Sequence, residues 1–406
     1  NLVMGHKKNK TKAVAVVEGA AAVVQNGTEG AAHGGRRFTV SVPCSTANLG
    51  PGFDALGVGL GLRMSVVCTR SEDKDGGAVT VSYEGDGAGL VPLAPAANLV
   101  SRVAVQTAAA HARVLAGWHL HIANPIPLGR GLGSSGSAVV AGIVVASEAL
   151  GLRLSAARIV DYAVLLEGHP DNVAASILGG FVASYLSESV PADSGAAAAA
   201  AFSPAFSPAF SPADAARYAR LYADIPFLAP PKLDLAVHVK VPVSDKIKFV
   251  AVVPAFELQT KLARSVLPAS YSKQDLVFNL QRVAVLVAAL SHQSPDPAII
   301  SQAMHDKIHQ PYRQHLVPGL AEILLLDHHT LPGLLGICMS GAGPTVLCLA
   351  DRNFDTIGNK VVDIFQSHSK SEVAHDTSNL DADVNDKIRA EFLVLDIADG
   401  FSVQWA

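Results

Sequence analysis

Pro127-Leu128-Gly129-Arg130-Gly131-Leu132-Gly133-Ser134-Ser135-Gly136-Ser137 places four glycines and two serines within eight positions, more than a turn needs. The alternating run Trp118 to Ile122 before it reads as a strand, and the apolar run Ala138 to Leu150 after it reads as a helix. Strand, glycine-rich loop and helix in that order predict a phosphate cradle. Backbone N–H groups converge on the anion, the helix N-terminus adds partial positive charge, and glycine permits close approach and positive φ. Ser134 and Ser135 stand where a helix N-cap or a magnesium ligand is needed.

Gly131, Gly133 and Gly136 also satisfy G-x-G-x-x-G, the dinucleotide pattern. That reading requires a second strand after the helix, ending in a ribose-binding acid, whereas Leu154 to Leu166 keeps a helical apolar spacing. No Lys follows the glycines, so the loop is not a Walker A loop.

Upstream, Phe38 to Val42 alternates like a strand and leads into Pro43 to Leu60, read as a Gly- and Pro-rich loop carrying Asn48 and Asp54. In isolation each of these two suits a turn cap or a ligand equally well. Strands around Val66 to Cys68 and Val79 to Tyr83, and a helix-like stretch Leu99 to Ala116, complete an α+β order.

Downstream, Glu167-Gly168-His169-Pro170-Asp171-Asn172 ends one helix and opens another that stops at Gly179-Gly180. Acid, imidazole, acid and amide within six residues are able to hold magnesium and to orient a hydroxyl, although Pro and Asp also suit a helix start. Residues 187 to 216, an alanine run followed by three Ala-Phe-Ser-Pro repeats, are expected to lie outside the packed fold. A second globular part starts near Lys232. In it Thr260 and Arg264 share a helical face, and Arg313 closes His309-Gln-Pro-Tyr-Arg; arginine forks suit carboxylates and phosphates. Leu334 to Leu349 reads as two strands around the small-residue turn Ser340 to Gly343.

The 406 residues allow two domains, half of them are hydrophobic, only 16% are charged, and the formal net charge is -4. Nothing there calls for nucleic acid or an anionic membrane, so a small-molecule ligand is expected. Ala138 to Leu150 is too short for a membrane span, and Glu148 interrupts it. Cys44, Cys68, Cys338 and Cys348 lack metal-ligand spacing and suit a reducing compartment. Residues 1–37 read as disordered, or, through the basic, acid-poor His6 to Lys12, as an organelle-targeting segment.

In combination the chain resembles the GHMP kinases (galacto-, homoserine, mevalonate and phosphomevalonate kinases). Pro43 to Leu60, Pro127 to Ser137 and Gly336 to Leu349 match the family's three motifs, and the Glu-Gly-His-Pro-Asp-Asn and His-Gln-Pro-Tyr-Arg segments resemble the branch that acts on homoserine. The resemblance implies an N-terminal ATP-binding domain over residues 38–186, a low-complexity insertion and linker over 187–231, and a ferredoxin-like C-terminal domain over 232–406. ATP and the acceptor would meet between the domains. It implies that Pro127 to Ser137 wraps the ATP phosphates and that Ser135 and Glu167 hold Mg2+. Asn48, Asp54, His169, Asn172, Thr260, Arg264 and Arg313 would hold L-homoserine, with Asp171, Asn172 and Arg264 closest to the chemistry. Whether Asp171 acts as a base stays open. A homodimer and a cytoplasmic location, or a plastid one if residues 1–37 are a targeting segment, complete the expectation. Other acceptors, mevalonate or a sugar, and a catalytically silent sensor on the same fold are the alternatives.

Overall fold

A computed structural model describes residues 37–72, 76–187, 208–373 and 386–406. His6 to Lys12, the alanine run with the first Phe-Ser-Pro repeats, and most of the polar stretch 370–386 lie outside the described residues.

The first sheet begins with β1 (Arg37–Ala47) and β2 (Leu56–Arg70), paired antiparallel with a bulge between Pro43 and Cys44. β3 (Thr80–Gly85), α1 (Leu99–Ala110) and β4 (Trp118–Asn124) follow; β4 lies antiparallel to β2 and parallel to β3. Then come α2 (Ser134–Leu150), α3 (Ala156–Glu167), α4 (Asp171–Leu178), β5 (Phe181–Leu186), α5 (Pro212–Tyr222) and β6 (Ala236–Val241). β5 pairs with the start of β2, and β6 with β5.

The second sheet is built from β7 (Lys248–Pro254), β8 (Leu334–Met339), β9 (Val346–Ala350) and β10 (Ala390–Leu395) in the antiparallel order β10-β7-β9-β8. α6 (Thr260–Ser265), α7 (Lys273–Leu290), α8 (Pro297–Ala303), α9 (Gln310–Arg313) and α10 (Leu320–Ile323) separate β7 from β8, and α11 (Phe354–Ser367) separates β9 from β10. Strand–helix–strand–strand–helix–strand in this order is a ferredoxin-like unit. The chain then returns to the first sheet, where β11 (Ser402–Trp405) pairs with β1, Phe38 opposite Trp405. Two strands beyond residue 231, β6 and β11, thus complete the first sheet.

β7 forms the common wall. Phe249, Ala251 and Val253 face the first core, while Val250 and Val252 face the second, as the two-residue strand period requires. α2 is apolar almost all round because it is buried almost all round, against α1, α3 and β1.

Three expectations need correction. Pro43 to Leu60 is not one loop: only residues 48–55 connect the two long strands. The glycines there serve close packing instead, since a Cβ on Gly57 would lie 2.1 Å from the Asp171 carbonyl oxygen, where α4 rests on β2. The helix from Leu99 ends at Ala110, where left-handed Ala112 turns the chain toward β4. The end of the interruption, placed outside the packed fold by its composition, belongs to the core. The third repeat supplies Phe210, in ring contact with Tyr218 and Phe227, and Ser211, which caps α5. Tyr222 then donates to the Leu115 carbonyl (2.5 Å) and accepts from the Val79 N–H (2.9 Å).

Candidate active site

The loop between β4 and α2 is held from three sides. Asp86 accepts from the Leu128 N–H (2.7 Å), Leu258 N–H donates to Gly129 O (3.0 Å), and Ser340 Oγ donates to Gly131 O (2.6 Å). Asn124, buried at the end of β4, donates to Ser134 Oγ (3.1 Å) and to Tyr83 Oη (3.0 Å). Gly133 is left-handed (φ 68°), and a Cβ there would lie 2.2 Å from Ser45 Oγ. Glycine is therefore dictated at 133 by the backbone and by β1. The first turn of α2 offers N–H groups with no intrahelical acceptor, the feature that suits an anion.

Beside this loop, Ser45 Oγ donates to Asn172 Oδ1 at 3.0 Å, so the first turn of α4 abuts the phosphate cradle. Asp171 is buried, accepts from the Asn172 N–H (2.8 Å) and lies 2.7 Å from His169 Nδ1. Burial opposes charge on His169, yet the Asp171 carboxylate and its hydrogen bond, helped by Glu167, push the imidazole up to about 9. Burial likewise opposes ionisation of Asp171, and the same partner overcomes it, holding this carboxyl below the usual range. The two form an ion pair at neutral pH.

Facing them, Arg264 grips Asp54 with two hydrogen bonds, 2.7 and 3.0 Å. Burial opposes the Arg264 charge, and the Asp54 contact reinforces it. Arg313 is 1% exposed, donates to Ala263 O (2.9 Å) and Gly341 O (3.3 Å), and lies 5.2 Å from the Phe53 ring centroid. Burial, and then the Arg264 charge, lower its pKa to about 10. Asn48, at φ 75°, donates to Gly341 O (2.8 Å) and accepts from the Asp54 N–H (3.0 Å). Its amide thus sets the position of Asp54. Thr260 is exposed at the start of α6.

Ser135 Oγ donates to Glu167 Oε1 at 2.8 Å, bringing two hard oxygen donors together at the start of α2. A hydroxyl and a carboxylate fit Mg2+, which prefers oxygen ligands and keeps several waters. Asp54, His169 and Asp171 also lie close enough to share an ion. That trio already contains the imidazolium of His169 and is gripped by Arg264, so its negative charge is balanced from within.

Several contributors carried no isolated sequence signal: Ser45, Phe53, Asp86, Asn124 and Asp306. Phe53 is stacked on His309 (5.3 Å) and faces both arginines, a role for an aromatic that only the loop geometry reveals.

Fold and cleft together define a small-molecule kinase of the GHMP type, and residues 98–180 match the GHMP kinases N terminal domain. The chain is 42% identical over 336 residues to homoserine kinase of Candida albicans, covering 81% of this chain and 92% of that protein. With homoserine kinase of Saccharomyces cerevisiae the identity is 41% over 342 residues, covering 81% and 93%. The fold is shared with the crystal structure of homoserine kinase from Cytophaga hutchinsonii, at a TM-score of 0.64 and 24% identity, over 93% of this chain and 100% of that one. The chain belongs to the homoserine kinase family.

Proposed function

We propose that the chain transfers the γ-phosphoryl group of ATP to the side-chain hydroxyl of L-homoserine at the junction of the β4–α2 loop and α4, giving O-phosphohomoserine for threonine synthesis. One observation carries the reading: Ser45 touches both Gly133 of the phosphate loop and Asn172 of the acceptor side, so donor and acceptor sites share a wall. Transfer then needs mainly positioning and charge stabilisation.

The loop Pro127 to Ser137 would bind the triphosphate. Mg2+ would be held by Ser135 and Glu167, where it neutralises phosphate charge when bound. Homoserine is a zwitterion with one hydroxyl. Arg264 and Arg313 suit its carboxylate, Asp54 its ammonium, and Asn172, with His169 beside it, the hydroxyl end. Asn48 acts through Asp54, and Thr260 lies at the rim.

Asp171 is a weak base in this setting, because the His169 imidazolium, hydrogen-bonded to its Oδ1, holds the carboxyl below the usual range against the effect of burial. The hydroxyl proton passes instead to the transferred phosphoryl oxygen, as a loose transition state permits. The residue's part is to fix His169 and Asn172.

We assign Asp54, the loop and α4 to the ATP-binding side of the cleft, and Arg264 and Arg313 to its ferredoxin-like side. Among the described residues no helix is long and apolar enough to cross a membrane. Four free, buried thiols suit the cytoplasm, and a homodimer is the assembly we expect. The deciding experiment measures ADP release with homoserine, mevalonate and galactose as acceptors. A site built on paired charges should favour homoserine by several orders of magnitude in kcat/KM. Equal rates with mevalonate would overturn the pocket assignment.

A further inference from the structure

His309 stands outside the roles above, yet it is completely buried between the Asp54-bearing loop and α9. Its Nε2 lies 2.7 Å from the Gly50 carbonyl oxygen, and its Nδ1 lies 3.3 Å from Arg313 Nη1. A carbonyl oxygen only accepts, so Nε2 carries the hydrogen. A guanidinium only donates, so Nδ1 carries a lone pair. Both ring nitrogens are committed, and together they specify one protonation state.

The surroundings keep it there. Asp306, whose Oδ2 is 3.6 Å from Nε2, accepts from Asn279 and from the N–H groups of Ile308, His309 and Gln310. These bonds occupy both of its oxygens, so it anchors the turn that carries His309 more than it pairs with the ring. The other charged groups acting on the ring are Arg313 on α9 and Asp54 in the β1–β2 connection, while Arg264 on α6 and Tyr271, in edge contact with Tyr312, surround Arg313. Cys338 on β8 is neutral, its thiol pushed up to about 12 by burial. Burial first, and then the Arg313 charge, hold His309 below its ordinary value against the pull of Asp306.

We propose that His309, as the neutral Nε2–H tautomer, is a positioning residue that presents Arg313 to the carboxylate of the acceptor, and that a proton on Nδ1 releases Arg313 and weakens acceptor binding. The proposal rests on the reading of Arg313 as a carboxylate ligand. A proton on Nδ1 turns the only side-chain acceptor for Arg313 among the described residues into a cationic donor 3.3 Å away.

The test is the pH dependence of KM for homoserine and for ATP, in the intact enzyme and in His309→Asn and His309→Phe. In the wild type, KM for homoserine should rise on the acid side roughly tenfold per pH unit once the ring titrates, while KM for ATP stays level. His309→Asn keeps an acceptor oxygen near Nδ1 but gains no proton, so its acid limb should vanish. His309→Phe should raise KM for homoserine at every pH. Nitrogen NMR of the wild type, which needs no variant, should show a bare Nδ1 and a protonated Nε2. An acid limb that survives in His309→Asn, or a bare Nε2, overturns the proposal. If Arg313→Leu also leaves homoserine affinity intact, the pocket reading itself fails.

Discussion

Asp54 and Arg264 hold each other by two short hydrogen bonds, although one lies between the first two strands and the other on a helix of the second half. The pair neutralises itself, and in the proposed pocket an entering homoserine would exchange this one internal ion pair for two external ones. On that proposal, net affinity would come from the exchange together with the buried Arg313.

Asp54→Asn removes the anion and leaves Arg264 without its fork. Loss of one partner of such a pair costs about 2 kcal/mol or more of homoserine binding. Calorimetric titration should show homoserine affinity reduced roughly thirtyfold and ATP affinity nearly unchanged. Equal losses for both ligands would mean that the cleft has collapsed.

Gly133→Ala places a Cβ in a left-handed position and against Ser45 Oγ. The backbone term alone is about 1–2 kcal/mol, and the contact adds to it. Thermal melting should fall and ATP binding should be lost. Adding Ser45→Gly removes the nearest obstructing atom and should recover part of the stability; no recovery would place the fault elsewhere in the loop.

Glu167→Gln keeps the shape beside Ser135 and removes a charge. The magnesium concentration giving half-maximal turnover should rise. An unchanged magnesium curve would show that this carboxylate only caps its neighbourhood.

The pair His169–Asp171 predicts a slope in stability. The folded pKa of His169 is raised, so its contribution is fully present below its ordinary value near 6.5 and is lost as pH rises through about 9. The upper bound is roughly 3 kcal/mol for a shift of this size. Urea midpoints measured across this interval should decline, and His169→Asn should flatten the decline.

Tyr222→Phe strips both the Val79 N–H and the Leu115 carbonyl of their partner within the first core. Two buried backbone groups left unsatisfied cost about 2–4 kcal/mol. The denaturation midpoint should drop while kcat and both KM values hold, because α5 lies away from the cleft.

Much of the candidate site was legible because many of its residues cluster in sequence. Glu167 to Asn172 is one helix junction, and Pro127 to Ser137 is one strand–helix connection. What escaped was contact between distant segments. Ser45 matters because β1 passes under Gly133, and Asp306 because it closes a turn around His309. The strand character of Pro43 to Leu60 was hidden because Gly and Pro ordinarily mark turns. Here Pro43 sits at a bulge and Gly57 admits α4. The same bias misjudged Phe210 and Ser211: a repeat reads as low complexity whether or not its last copy packs.

During synthesis β1 emerges early, and its partner β11 is the last of the described strands to appear. Until then the outer edge of β1 lacks its neighbour among the described strands, and Phe38 lacks the Trp405 ring that comes to lie 4.6 Å away. The first sheet therefore receives its last described edge strand only after every strand of the second sheet has been made, although the loop Pro127 to Ser137 is translated much earlier. Closure of so long a sequence separation makes assembly of the first sheet a late, slow event. An edge left open in this way is the kind of strand edge on which unfinished chains associate, so β11 serves to cover it.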